Sequence, residues 1–170
     1  IANDRPGPES NEDRAEDTPP TMTTAAPEFA LERIYIRDLS FESPRAPEVF
    51  REAWQPQIQL DINTRTNGLG EERFEVILTV TAHAKSAAGQ TLMIVEVQQA
   101  GIFRIRGLDD DRLRRILATH CPGILFPYIR ETVDSMVVKG GFPPLQLAPV
   151  NFDAMFDEAM KQRSAPAVQH

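Results

Sequence analysis

Apolar and polar residues alternate through the first half of the chain and then take up helical spacing. The cleanest alternation puts Phe74, Val76, Leu78, Val80, Ala82 and Ala84 on one side, and Glu75, Thr79, Thr81, His83 and Lys85 on the other. That two-residue period is the mark of an antiparallel strand with one face in the core. Ile58, Leu60 and Ile62 alternate with Gln57, Gln59, Asp61 and Asn63 to give another strand. Asn67-Gly68 with Gly70 predicts the turn before Phe74, and Ala88-Gly89-Gln90 the turn after Lys85. An earlier strand, Phe29 to Phe41, slips phase between Leu31 and Ile34, which predicts a bulge. In the fourth strand, Thr91 to Arg106, residues Met93, Val95, Val97, Phe103 and Ile105 share a face. The opposite face holds Leu92, Ile94 and Ile102 beside Glu96, Gln98 and Arg104, so a second buried surface is expected there.

After Gly107 the period changes. Asp109, Asp110 and Asp111 offer a cap and first-turn carboxylates, and Leu113, Ile116, Leu117 and His120 follow with helical spacing. Pro122 and Pro127 predict a kink or break. Ile129, Val133, Met136 and Val137 resume the helix, and Gly140-Gly141 ends it. The segment FPPLQLAPV (142–150) has three prolines and no charge, which excludes a helix or central strand and predicts an extended apolar loop. Asn151 then caps a last helix with Phe152, Met155, Phe156 and Ala159 on one stripe. Strands followed by helices imply an α+β fold with an antiparallel meander, not a doubly wound nucleotide fold.

Residues 1–27 hold five of the 14 prolines and six acids against two arginines, and only Ile1 and Met22 are large and apolar. They are expected to form a disordered acidic extension, because so little apolar surface cannot offset the entropy of ordering. The folded domain is expected over 28–163 and a flexible tail over 164–170. A net charge of −7 repels phosphate backbones and anionic lipid, so neither nucleic acid nor direct membrane insertion is expected. No apolar run nears the ~18 residues of a membrane span, and the first residues lack a basic region leading into an apolar one. The expected compartment is the cytoplasm.

Candidate chemistry is sparse. The single cysteine, Cys121, allows no intramolecular disulfide, and His83, His120 and His170 lack ligand spacing, so no metal or other cofactor is expected. There is no phosphate-binding glycine loop and no G-x-S-x-G elbow. Cys121 next to His120 suggests a nucleophile and base, but their adjacency and Pro122 favour a packed cysteine. The expectation is a binding protein and not an enzyme, with Phe41, Trp54, Phe126, Tyr128 and Phe142 as aromatic material for that surface.

Four stretches carry a family likeness: IRDLSFESPRAPEVFREAWQP (36–56), EVQQAGIFRI (96–105), CPGILFPYIRE (121–131) and GFPPLQLAPVNFDAMF (141–156). In order and spacing the chain resembles the SecB protein-export chaperones from Phe29 to about Phe156. The resemblance implies a four-stranded antiparallel sheet per subunit, with a long interrupted helix and a short C-terminal helix packed on one side. It also implies a homotetramer built as a dimer of dimers, with Val95, Val97, Leu113 and Leu117 expected at the oligomer interface. As a function it implies an ATP-independent holdase that binds unfolded precursor polypeptides and delivers them to the SecA motor. Client-lining residues are expected at Trp54, Leu60, Ile62, Phe126, Tyr128, Phe142, Leu145 and Leu147. The acidic sheet face that meets the motor in this family corresponds to Asp38, Glu42, Ile94 and Glu96. Two other readings stand beside export: a SecB-like chaperone of a toxin–antitoxin system, and a small-molecule or lipid carrier.

Overall fold

The computed structural model describes residues 26–164; most of the acidic extension and nearly all of the tail lie outside them. Four antiparallel strands form one sheet: β1 (Glu28–Glu42), β2 (Gln57–Gly70), β3 (Arg73–Lys85) and β4 (Thr91–Arg106), in the order β1-β4-β3-β2. The last three make the expected meander. β1 departs from it by joining the far side of β4, where Leu39 and Phe41 pair with Val97 and Val95 and widen the apolar face. The 43–56 connection, with a single 3₁₀ turn at Glu48–Arg51, must therefore run from one edge of the sheet to the other.

The β2–β3 turn is also not where Asn67-Gly68 placed it. β2 continues through both residues to Gly70, and the turn is Glu71-Glu72, with φ of 51° and 58°. Left-handed glutamates are unfavourable in isolation. Here Arg73 pairs with Glu71 at 2.6 Å, Arg106 pairs with Glu72 at 2.8 Å, and the Ile105 N–H donates to the Glu72 carbonyl.

Three helices follow: α1 (Asp110–Ala118), α2 (His120–Lys139) and α3 (Phe152–Ser164). The interruption in the long helical stretch falls at Thr119, whose hydroxyl donates to the Arg115 carbonyl at 2.9 Å, and not at either proline. Pro122 sits in the first turn of α2, where no intrahelical N–H is needed. Pro127 lies within α2 on an exposed stretch, and Gly123, whose carbonyl loses its partner, is exposed to water as well. The caps form where expected. Asp109 accepts from the Arg112 N–H, Asn151 accepts from the Ala154 N–H, and Gly141 (φ 86°) follows the end of α2.

The core lies between the sheet and α2. Leu125, Ile129, Val133 and Val137, spaced by four, pack on Val76, Leu78 and Val80 of β3 and Val95, Val97 and Phe103 of β4. A Cβ at Gly101 would stand 2.8 Å from the Phe103 ring and 3.0 Å from Leu125, so this close approach needs glycine. Val95 and Val97 have no exposed surface and belong to the protomer's own core, which corrects their assignment to an oligomer interface. Leu117 is likewise buried, and Leu113 is half-buried against the same core.

β1 carries register shifts at Leu31/Arg33 and at Ile36/Asp38. The first is the expected bulge. At the second, Arg37 has no cross-strand partner, and the strand absorbs one residue. An unbroken alternation from Ile36 would turn Asp38 inward and Leu39 outward. The bulge reverses this, so Leu39 and Phe41 face the helices while Asp38, Ser40 and Glu42 face the open side of the sheet.

Candidate functional site

Two surfaces stand out, one apolar on the helix side and one charged on the open face of the sheet. On the helix side, Phe142 opens the 142–150 loop with its ring centroid 5.0 Å from Trp54, 5.3 Å from Phe50 and 6.3 Å from Phe41. The loop is tied to α2 by Asp134 Oδ1, which accepts the Leu145 and Gln146 N–H groups, both at 3.0 Å. The glycines before it are required: a Cβ on Gly140 would run into the Phe41 ring, and one on Gly141 would stand 3.1 Å from Phe50.

The residues expected to line this surface divide by exposure. Phe126, Phe142 and Leu147 are buried, Trp54, Ile62 and Leu145 are half-buried, and Leu60 and Tyr128 are exposed. The first three therefore hold the frame, and the exposed residues are free to touch another chain. Phe50 (52% exposed) and Ile58 (44%) are further open apolar side chains. Ile58 was legible as one step of the Ile58–Leu60–Ile62 alternation, whereas Phe50 lies in a connection with no period to read. A groove of ≈ 400 Å³ also runs between β2 and α3, lined by Ile62, Thr64, Phe152, Met155, Phe156 and Met160. A larger hollow of ≈ 600 Å³ lies elsewhere, where the start of α2 meets Pro149–Asp153.

On the open face, Glu42 stands opposite Ile94, Ser40 opposite Glu96, and Asp38 opposite Gln98. Asp38, Glu42, Ile94 and Glu96 thus share one half of that face. Thr81 donates to Glu96 Oε2 at 3.0 Å. Asp61, opposite Thr81 on β2, continues the row, His83 stands opposite Ile94 within the patch, and Lys85 lies at its end. Among the described residues none of these four acids has an ion-pair partner. The other half of the face differs: Glu28 pairs with Arg104 and Arg106, Glu32 with Arg73, Glu72 with Arg106, and Glu75 with Arg37.

Cys121 is fully buried, and burial pushes its thiol up to about 12. His120 is exposed and stacks edge-on with Phe29 at 5.1 Å. A thiol so shifted holds almost no thiolate at neutral pH. Thiol reagent should therefore leave native Cys121 unlabelled and react with it only after denaturation; rapid labelling of the native protein would contradict the burial.

Among the described residues no three His, Cys, Asp or Glu side chains converge on a metal position, and no helix is long and apolar enough to cross a membrane. The fold is shared with a SecB-like chaperone of Mycobacterium tuberculosis, solved in complex with a ChAD peptide from an antitoxin, at a TM-score of 0.60 and 21% identity over 72% of this chain and 91% of that one. A protein-export protein SecB of Hahella chejuensis is 52% identical over 145 residues, covering 83% of this chain and 91% of the relative. One from Pseudomonas paraeruginosa is 51% identical over 139 residues, covering 82% and 85%. The model of the preprotein translocase subunit SecB matches residues 22–163, and the chain belongs to the SecB family.

Proposed function

We propose that the protein is an export chaperone that holds unfolded precursor polypeptides without ATP and passes them to the SecA motor. The observation that carries the holding role is the apolar surface left open on the helix side, at Phe50, Ile58 and Leu60, beside the 142–150 loop. Covering such surface with an extended apolar segment stabilises the complex by about 25 cal/mol per Å², and contact spread over several subunits adds avidity. No reaction step is needed.

The delivery role is supported by the unpaired acids on the open face. Four carboxylates around Ile94 suit a basic partner segment, since like-sign repulsion within the row is relieved by docking. We place SecA there, on Asp38, Glu42, Ile94 and Glu96. The proposed assembly is a cytoplasmic dimer of dimers, with the exposed Val138 of α2 as a candidate for helix-to-helix contact. The relatives named for protein export are about half identical to this chain, whereas likeness to the antitoxin-bound chaperone extends only to the fold, so export is the preferred role.

Titration with a fluorescent secretory precursor tests the reading. Held unfolded, the precursor should bind tightly with or without nucleotide, and the same polypeptide folded should not. Equal binding of both forms, or of neither, would remove the chaperone role.

A further inference from the structure

At the middle of the open face a buried carboxylate joins three of the four strands. Glu75 of β3 is 6% exposed; its Oε1 accepts from the Tyr35 hydroxyl and the Arg37 guanidinium, and its Oε2 accepts from Asn67 at 2.8 Å. Tyr35 and Arg37 belong to β1, which does not touch β3, and their side chains must cross β4 to reach Glu75. Two strand spacings are about 10 Å. The crossing is open because β4 presents Ala100, the residue in register between Tyr35 and Ile77, where a larger side chain would block it. Ala100 and Ile77 are both buried on this otherwise solvent-facing side. The hydrogen bond from Tyr35, with those from Asn67 and Arg37, holds the Glu75 carboxyl below its ordinary range despite burial, so the clamp stays charged at neutral pH.

Arg37 is the residue absorbed at the second bulge of β1, and Asp38 follows it. A bulge fixed only by the ladder can migrate along an edge strand, and each one-residue move turns the neighbouring side chains to the opposite face. Anchoring the bulged residue to β3 stops that migration. We propose that the Tyr35–Arg37–Glu75–Asn67 clamp is a positioning device for the motor-docking surface, fixing the β1 bulge so that Asp38 and Glu42 face the partner. This inference rests on the reading of that surface as the motor site. It makes Glu75 a positioning residue that acts through Asp38 without touching the partner.

The test is a double-mutant cycle on the full-length protein, read as SecA affinity at low salt. Glu75→Gln keeps the shape of the side chain and releases Arg37. It should weaken binding about five- to tenfold, leave unfolded-precursor binding intact and speed amide exchange at 36–38. Asp38→Asn should weaken binding comparably, and the double variant should be little worse than either single one, because coupled residues are non-additive. Simple loss of a charge at Glu75 would instead give losses that multiply, and that result would overturn the positioning role. So would normal SecA binding by Glu75→Gln alongside a weakened Asp38→Asn. If Asp38→Asn itself binds normally, the docking reading falls and takes the positioning role with it.

Discussion

Deleting Ser40 is expected to destabilise the fold by about 3–5 kcal/mol or more, while deleting Arg37, three positions earlier, should leave β1 paired. Both changes shorten the same strand by one residue, and the difference is parity. Arg37 is already surplus to the ladder. Without it, Ile36 is followed by an outward Asp38 and an inward Leu39, so the strand becomes regular with every side chain on its native face. What is lost is the hydrogen-bonded ion pair to Glu75, about 1–3 kcal/mol. Ser40 is different because it is in register with Glu96. Without it, either Phe41 turns out of the core and Glu42 turns in, or the bulge must vanish and Leu39 and Asp38 exchange faces. The first outcome forfeits the packing of a half-buried phenylalanine against the core and sets a carboxylate beside Val95, each costly alone. Urea unfolding of the two deletions, with amide exchange along β1, decides the matter. If the Arg37 deletion proved the more damaging, the bulge would not sit where the register places it.

That parity was half legible in the sequence. The three-residue step from Leu31 to Ile34 announces the first bulge, and the equal step from Ile36 to Leu39 announces the second, although no glycine or proline marks either. Local signals failed where long-range contacts overrode them. Asn67-Gly68 carries the stronger local turn preference, yet ion pairs from Arg73 and Arg106 and the ladder beyond Gly68 move the turn to two glutamates. Strand order is not encoded in period at all, which is why β1 could not be placed beside β4 from alternation alone. The core assignment of Val95 and Val97 was recoverable, since they share parity with Met93 and Phe103 and oppose Ile94 and Glu96. What period cannot do is separate greasy residues that frame a groove from those that line it. Phe142 and Leu147 end up buried while Phe50 and Ile58 stay open, and that division depends on the path of two connections without regular structure.

The same division carries the second large effect. Leu60→Glu should weaken binding of an unfolded precursor about tenfold or more while lowering the unfolding free energy by only about 1–2 kcal/mol, the share of a leucine's burial already made in the folded protomer. Leu60 is 39% exposed on the helix side of β2, so its burial is completed only by a client. Completing it contributes a share of the about 1.5–3 kcal/mol that a leucine gains on full burial, and each 1.4 kcal/mol is a factor of about ten in affinity. A carboxylate there forfeits that gain and is itself desolvated by the bound segment. Phe142→Ala should behave in the opposite sense. Phe142 is 5% exposed and in contact with Phe41, Phe50 and Trp54, so truncation should cost about 3–5 kcal/mol of stability. Its effect on client affinity should appear only as far as the 142–150 loop loosens. Precursor titration alongside urea unfolding separates the two variants. Should Leu60→Glu bind as wild type while Phe142→Ala, still folded, loses binding, the client would be entering beneath the loop and not along the exposed helix-side surface of β2.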